Sequence, residues 1–316
     1  MFKSAIIYTL TCITLSTDVS GQDPEFTQFY ANPLYLNPAF TGTTICPRAN
    51  LNYRNQWPGI QGTYVTYSVS CDRYVDAISG GLGLLVMNDK AGKGTLTTTN
   101  ASLMYAYSHP INREFSIGFG AQAGFFQKSI DWSKLTFGDM IDERRGFVYN
   151  TNEQQLLKSK TNADFSAGIL GYSSKYFFGF AAHHLTRPDE GLQGESRLPM
   201  KLTGHAGASI PIGNKQEHIS ISPNILYQQQ QDFQQLNLGM YINKRDFVAG
   251  LWYRNNDALI IVLGFKQRFF KVGYSYDVTI SKLSNATAGA HELSFSVQLG
   301  CKPNRPKYRL IDCPSF

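Results

Sequence analysis

Between Arg48 and Gly300 the chain alternates apolar and polar residues in about fourteen short stretches of about ten residues each. A period of two puts neighbouring side chains on opposite faces of a strand. In the first stretch Arg48, Asn50, Asn52, Arg54 and Gln56 share one face, and Ala49, Leu51 and Tyr53 share the other. In the second, Val65, Tyr67 and Val69 alternate with Thr66, Ser68 and Ser70. The same rhythm predicts strands near 80–89, 95–108, 113–126, 162–172, 174–183, 201–210, 218–228, 233–243, 246–254, 258–267, 269–277 and 290–300. It is plainest near the end, where Leu293, Phe295, Val297 and Leu299 alternate with Ser294, Ser296 and Gln298. Strands of this length with one apolar face are the pattern of an antiparallel transmembrane β-barrel, which turns that face to lipid. The expected fold is therefore all-β, a membrane barrel of about fourteen strands.

Connection lengths point the same way. Outer-membrane barrels carry short periplasmic turns and longer outer loops. If the first strand starts in the periplasm, odd strands run outward. The long connections near 127–161, 184–200 and 278–289 follow strands five, seven and thirteen, and all fall outside. A barrel of this size lies between the packed eight-stranded kind and the open sixteen-stranded kind. The segment 22–47, with "NPLYLNPAFTG" at Asn32 to Gly42, is too rich in Pro and Asn for a strand. It starts on the periplasmic side and is expected either to stay there or to plug the lumen. The inward faces carry Arg, Asn, Gln, Ser, Thr and many Gly.

Composition agrees. Charged residues are 16% of the 316 and aromatics 13%. No apolar run long enough for a membrane helix occurs after the N-terminus. Lys3, the apolar Ala5 to Leu15 and the small residues Ser20 and Gly21 read as a signal peptide over 1–21, with Cys12 leaving with it. The organisation expected is then an irregular segment 22–47, a barrel 48–300 and a periplasmic tail 301–316. Cys46, Cys71, Cys301 and Cys313 remain, an even number in an exported chain, with three possible pairings. Cys301 and Cys313 are a candidate pair closing a small loop in the tail. Cys46 and Cys71 flank the first hairpin, but their strand phases point them to opposite faces.

Net charge is +6, and the Lys and Arg residues are scattered, which gives no basic patch for nucleic acid. Catalytic spacing is missing. "GFGAQAG" at Gly118 to Gly124 has the wrong spacing for a dinucleotide site and sits inside a strand, so it reads as small residues facing a crowded lumen. His183 and His184 are adjacent, so on a strand they point apart and do not share a metal. No catalytic, cofactor or metal residues are expected. The loop 127–161 combines mixed charge with Trp132, Phe137, Met140, Arg144, Arg145 and Phe147, and is the candidate partner-binding element. The tail carries Lys302, Arg305, Lys307 and Arg309 and is a docking candidate for periplasmic proteins.

"QDPEFTQFYANPLYLNPAFTG", followed by "YRNQWPGI" at Tyr53 to Ile60, resembles the PorP/SprF family, and the "CPSF" ending is similar too. Asn32, Pro33, Asn37, Pro38, Ala39 and Gly42 match its first motif, and Tyr53, Arg54, Gln56 and Trp57 its second. No catalytic role attaches to them, and Arg54 is expected to hydrogen-bond in the lumen. The resemblance implies an outer-membrane barrel of the Bacteroidota, tied to type IX secretion and gliding motility. It implies a role in exporting or anchoring a large secreted adhesin, recognised through the cargo's type B C-terminal domain, alongside periplasmic secretion or motility-complex proteins. A passive channel or transporter shares the fold and is the alternative. An outer-membrane hydrolase using His184 and a secreted soluble β-protein are weaker ones.

Overall fold

The computed structural model describes residues 22–44, 46–142, 144–153, 157–192, 194–212, 219–281 and 287–300. The expected signal peptide over 1–21, the tail with Cys301 and Cys313, and His218 lie outside them. The strands are β1 Arg48–Gln56, β2 Tyr64–Val75, β3 Gly80–Ala91, β4 Leu96–Pro110, β5 Phe115–Ile130, β6 Ser159–Ser173 and β7 Tyr176–His183. Then come β8 Lys201–Ala208 with its continuation Ile210–Ile212, β9 Ile219–Gln230, β10 Phe233–Lys244, β11 Phe247–Arg254, β12 Ala258–Lys266, β13 Phe270–Thr279 and β14 Ala290–Gln298. Each pairs antiparallel with the next, and β14 returns to β1 from Arg48↔Gln298 to Gln56↔Ala290. The result is a closed barrel of 14 strands with no free edge along its wall. At the break in β8 the Ser209 N–H donates to Lys175 O at 2.6 Å, which keeps the wall sealed.

The long connections all leave one end, hereafter the long-loop end, and the described turns at the other end are short. Alternation sorts the side chains. Leu51, Leu103, Phe119, Phe178, Leu251 and Leu293 stand exposed on the outer wall, an apolar band that only lipid makes tolerable. Aromatic clusters edge it. Phe115 lies on Tyr176 and Phe178 near the short-turn end, and Tyr53 meets Tyr67 toward the other.

The lumen is filled. Residues 23–44 run through it as two 3-10 turns, Phe29–Ala31 and Pro38–Phe40, around one helical turn, Pro33–Leu36. Pro33 and Pro38 start their turns, where a missing N–H costs nothing. The direction differs from the sequence-based expectation. Asp23 donates its N–H to Gln230 Oε1 at the long-loop end, and Gly42 reaches Asp72 at the short-turn end. The segment thus begins at the mouth with the long loops and descends to β1. Strand phase does not encode this, because it fixes only where β1 starts.

Another difference concerns the inward face. It is not uniformly polar. Trp252, Ile260, Val262, Leu226 and Tyr241 point inward and pack with Phe29, Tyr30, Leu36 and Phe40 in one buried cluster. The plug supplies an apolar partner, so β12 is apolar on both faces. Cys46 is disulfide-bonded and Cys71 is a free, exposed thiol, so these two do not pair with each other.

Candidate functional site: a plugged lumen and an aromatic outer face

Below a latch at the mouth, three polar levels hold the plug. Nearest the long loops, Arg54 Nη2 lies 3.1 Å from Asp277 Oδ2 and its Nη1 3.3 Å from Glu292 Oε2, while Arg254 Nη1 lies 3.2 Å from Asp277 Oδ2. Thr27 sits among these charges. Its N–H donates to Glu292 Oε2 at 2.6 Å, its hydroxyl donates to Asp277 Oδ2 at 2.8 Å, and it accepts from Arg54. Gln28 N–H adds a bond to Glu292 Oε1 at 3.1 Å. Two cations face two carboxylates, and the plug backbone donates to both oxygens of Glu292, while Asp277 Oδ1 and Arg54 Nε have no hydrogen-bond partner among the described residues. Buried charges are tolerated when paired in this way.

Midway, Asn37 accepts from Ala39 N–H at 2.9 Å and donates to Ile169 O at 3.0 Å. The turn presses on the wall. A Cβ at Gly120 would fall on Ala39 N, and one at Gly168 on Asn37 Oδ1. Glycine is required at both positions for this close approach. At the short-turn end Asp72 accepts from Gly42 N–H at 2.8 Å and from Arg48 Nε at 2.9 Å. Gly42 has φ +67°, which glycine adopts freely.

At the mouth, Asp23 Oδ2 lies 2.8 Å from His184 Nε2, and Asp164 Oδ2 lies 2.9 Å from His184 Nδ1. His184 departs from strand geometry with φ +57°, which turns its ring back toward His183 at 6.5 Å. The expectation that the two histidines point apart fails for that reason. Burial opposes charge on His184, but the Asp23 and Asp164 carboxylates outweigh it and raise its pKa to about 10. Burial likewise opposes ionisation of Asp23, yet His184 and Lys201 hold its carboxyl well below the usual range. The histidine part of this latch is complete below its ordinary value of 6.5 and is lost as pH rises through about 10. The aspartate part is complete above 3.8 and is lost on acidification. The measurement that checks this is proteolysis at Pro24–Glu25 in the unmodified protein. It should accelerate between pH 6.5 and 10 and become pH-insensitive over that range in His184→Gln.

Outside the lumen, the loops after β5 and β7 form a cleft of about 450 Å³, lined by Ile130, Trp132, Leu135, Phe137 and Leu192. The Trp132 and Phe137 rings stack at 6.1 Å. Lys128 Nζ pairs with Glu190 Oε2 at 3.0 Å on its wall. Asp189 organises the second loop by accepting from Lys160 Nζ at 2.5 Å and from the Gly191 and Ser196 amides. Those donors, Lys160 foremost, bring its pKa down to about 2. Beyond the cleft a two-stranded hairpin, Ile141–Asp142 with Gly146–Phe147, projects from the loop. Asp142 accepts from the Arg144 and Arg145 amides, both at 2.9 Å, and is held below the usual carboxylate range. Ile141, Phe147, Val148 and Tyr149 are exposed there.

The family model described as type IX secretion system membrane protein PorP/SprF matches residues 18–297. This chain belongs to the PorP/SprF family. It is an outer-membrane β-barrel of the type IX secretion system. No curated protein matches the sequence. Among solved structures it is similar to the P. putida toluene transporter TodX, at TM-score 0.47 and 8% identity, over 84% of this chain and 93% of that one. A Pseudomonas aeruginosa FadL homologue is similar at TM-score 0.45 and 12% identity, over 84% and 93%. The KdgM porin is similar at 0.38 and 10%, over 80% and 99%.

The PorP/SprF motif residues converge on the plug and its rim. Asn32 donates to Ser68 Oγ at 3.1 Å, and Asn37, Pro38 and Gly42 make the contacts above. Arg54 lies in the charged level, while Tyr53 faces outward against Tyr67. Gln56 and Trp57 border a cleft at the mouth, and Trp57 N–H donates to Gly289 O at 2.9 Å. Of the loop candidates, Trp132 and Phe137 line the cleft. Met140 accepts from Phe137 N–H through sulfur, and Arg144, Arg145 and Phe147 belong to the projecting hairpin. Sequence reading missed Asp277, Glu292, Arg254 and Asp23. A charge on the lumen phase of its strand was the available signal for Asp277, Glu292 and Arg254, whereas Asp23, in the plug, lies on no strand.

Proposed function

We propose that this PorP/SprF barrel docks the C-terminal domain of a secreted adhesin-type cargo at its long-loop end, taken as the cell surface, and so supports export or anchoring. The observation that carries the reading is the aromatic cleft with its apolar hairpin, borne on a barrel whose lumen is occupied. Apolar side chains on a surface loop suit a partner interface, and a filled lumen weighs against a passive channel. The basic tail 301–316 is offered to periplasmic secretion or motility proteins.

Deletion of residues 130–158 should abolish cargo retention on the cell surface while the barrel keeps its heat-modifiable band. Trp132→Ala with Phe137→Ala should weaken retention about tenfold or more, as for a central aromatic anchor worth about 2 kcal/mol. Retention at the normal level in both variants would reject the loop as the docking element.

A further inference from the structure

A second cleft, of about 580 Å³, opens over the plug at the long-loop mouth. Its chemistry is unlike that of the first. Tyr64 shares the phase of lumen-facing Thr66 and Ser68, and Phe233 shares that of buried Gln235 and Asn237. These rim aromatics therefore overhang the lumen instead of joining the lipid girdle. Trp57 stands beside them, its ring 5.7 Å from Tyr64. The carboxylates in the cleft are engaged, Asp23 by His184, Glu25 by Gln235, Asp89 by Thr66 and Asp257 by Arg254. The side-chain amides of Gln56, Asn255 and Asn256 line it as well, and make no hydrogen bond among the described residues.

We infer that this cleft binds a neutral saccharide. A primary amide offers donors and an acceptor side by side, which matches a hydroxyl that both donates and accepts. Flat aromatic faces suit the apolar face of a pyranose ring, and a site needs a few convergent polar groups against such surfaces. Each carboxylate already accepts a hydrogen bond or ion pair from the protein, so the unpaired side-chain amides are the groups left to meet a polyol. The volume falls within the range usual for ligand sites. The cleft is separate from the Trp132–Phe137 cleft, and the inference does not rest on cargo docking.

The test uses the full detergent-solubilised protein on an array of neutral and charged oligosaccharides, with a Lys-rich peptide as comparison. Neutral oligosaccharides should be retained and should perturb tryptophan fluorescence. Gln56→Ala, Tyr64→Ala and Asn255→Ala should each weaken binding about tenfold, the loss of one good hydrogen bond or ring contact. Deletion of 130–158 should leave binding unchanged. Because Trp57 also supports the chain path, the exposed Tyr64 and Asn255 variants carry the decision, with heat-modifiability as the folding control. The inference is overturned if no oligosaccharide binds above the detergent blank, if only the peptide binds, or if folded Tyr64 and Asn255 variants bind as tightly as the parent.

Discussion

Removing residues 23–44 is expected to turn a closed barrel into a conducting one. Fourteen strands enclose more space than their own inward side chains fill, since packed interiors belong to about eight strands and open channels to about sixteen. Here the difference is made up by the plug, whose Phe29, Tyr30, Leu36 and Phe40 complete one buried cluster with the wall. Purified protein in planar bilayers should be silent, and the deletion should show stepwise currents. A gentler variant probes the same point. Gly120→Val places a side chain on the backbone of Ala39. Overpacking of this kind costs about 1–3 kcal/mol, and moving the plug away is the simplest relief. Intermittent openings are expected. A parent that conducts as freely as the deletion would show that the plug does not seal the barrel.

The largest stability effect is expected from Arg54→Ala. The side chain is almost wholly buried, and it lies against Asp277, Glu292 and Thr27. Truncation leaves Asp277 with Arg254 as its remaining cation and Glu292 with no cation within salt-bridge range among the described residues. Breaking a buried ion pair from one side costs about 3–5 kcal/mol. The urea midpoint of the heat-modifiable form should fall accordingly. Arg54→Met combined with Glu292→Gln should recover a good part of the loss, because removing both partners avoids an isolated charge. Equal midpoints for parent and Arg54→Ala would contradict the assignment of Arg54 to the plug anchor. Loss of the anchor should also speed proteolysis at the plug, linking this prediction to the first.

What the sequence by itself determined is the wall. Period-two alternation decides which residues meet lipid, and its repetition decides how many strands close the barrel. Loop lengths then separate the two ends, because long connections after β5, β7 and β13 share a side. Gly118 to Gly124 is likewise readable as small residues before a crowded interior, and Gly120 meets Ala39 there. The contents of the lumen were decided only by the tertiary structure. Alternation reports that Arg54, Asp277 and Glu292 face inward, but not that they meet, since 223 and 238 residues separate Arg54 from its partners. Nor does it report the plug's direction. That depends on Asp23 finding His184, whose left-handed backbone breaks the strand rule locally. The apolar inward face of β12 reads as ambiguous in the chain, and becomes intelligible once Phe29 and its neighbours occupy the lumen. Short-range periodicity is written residue by residue, whereas a buried charge network and a threaded segment exist only when distant strands have closed around them.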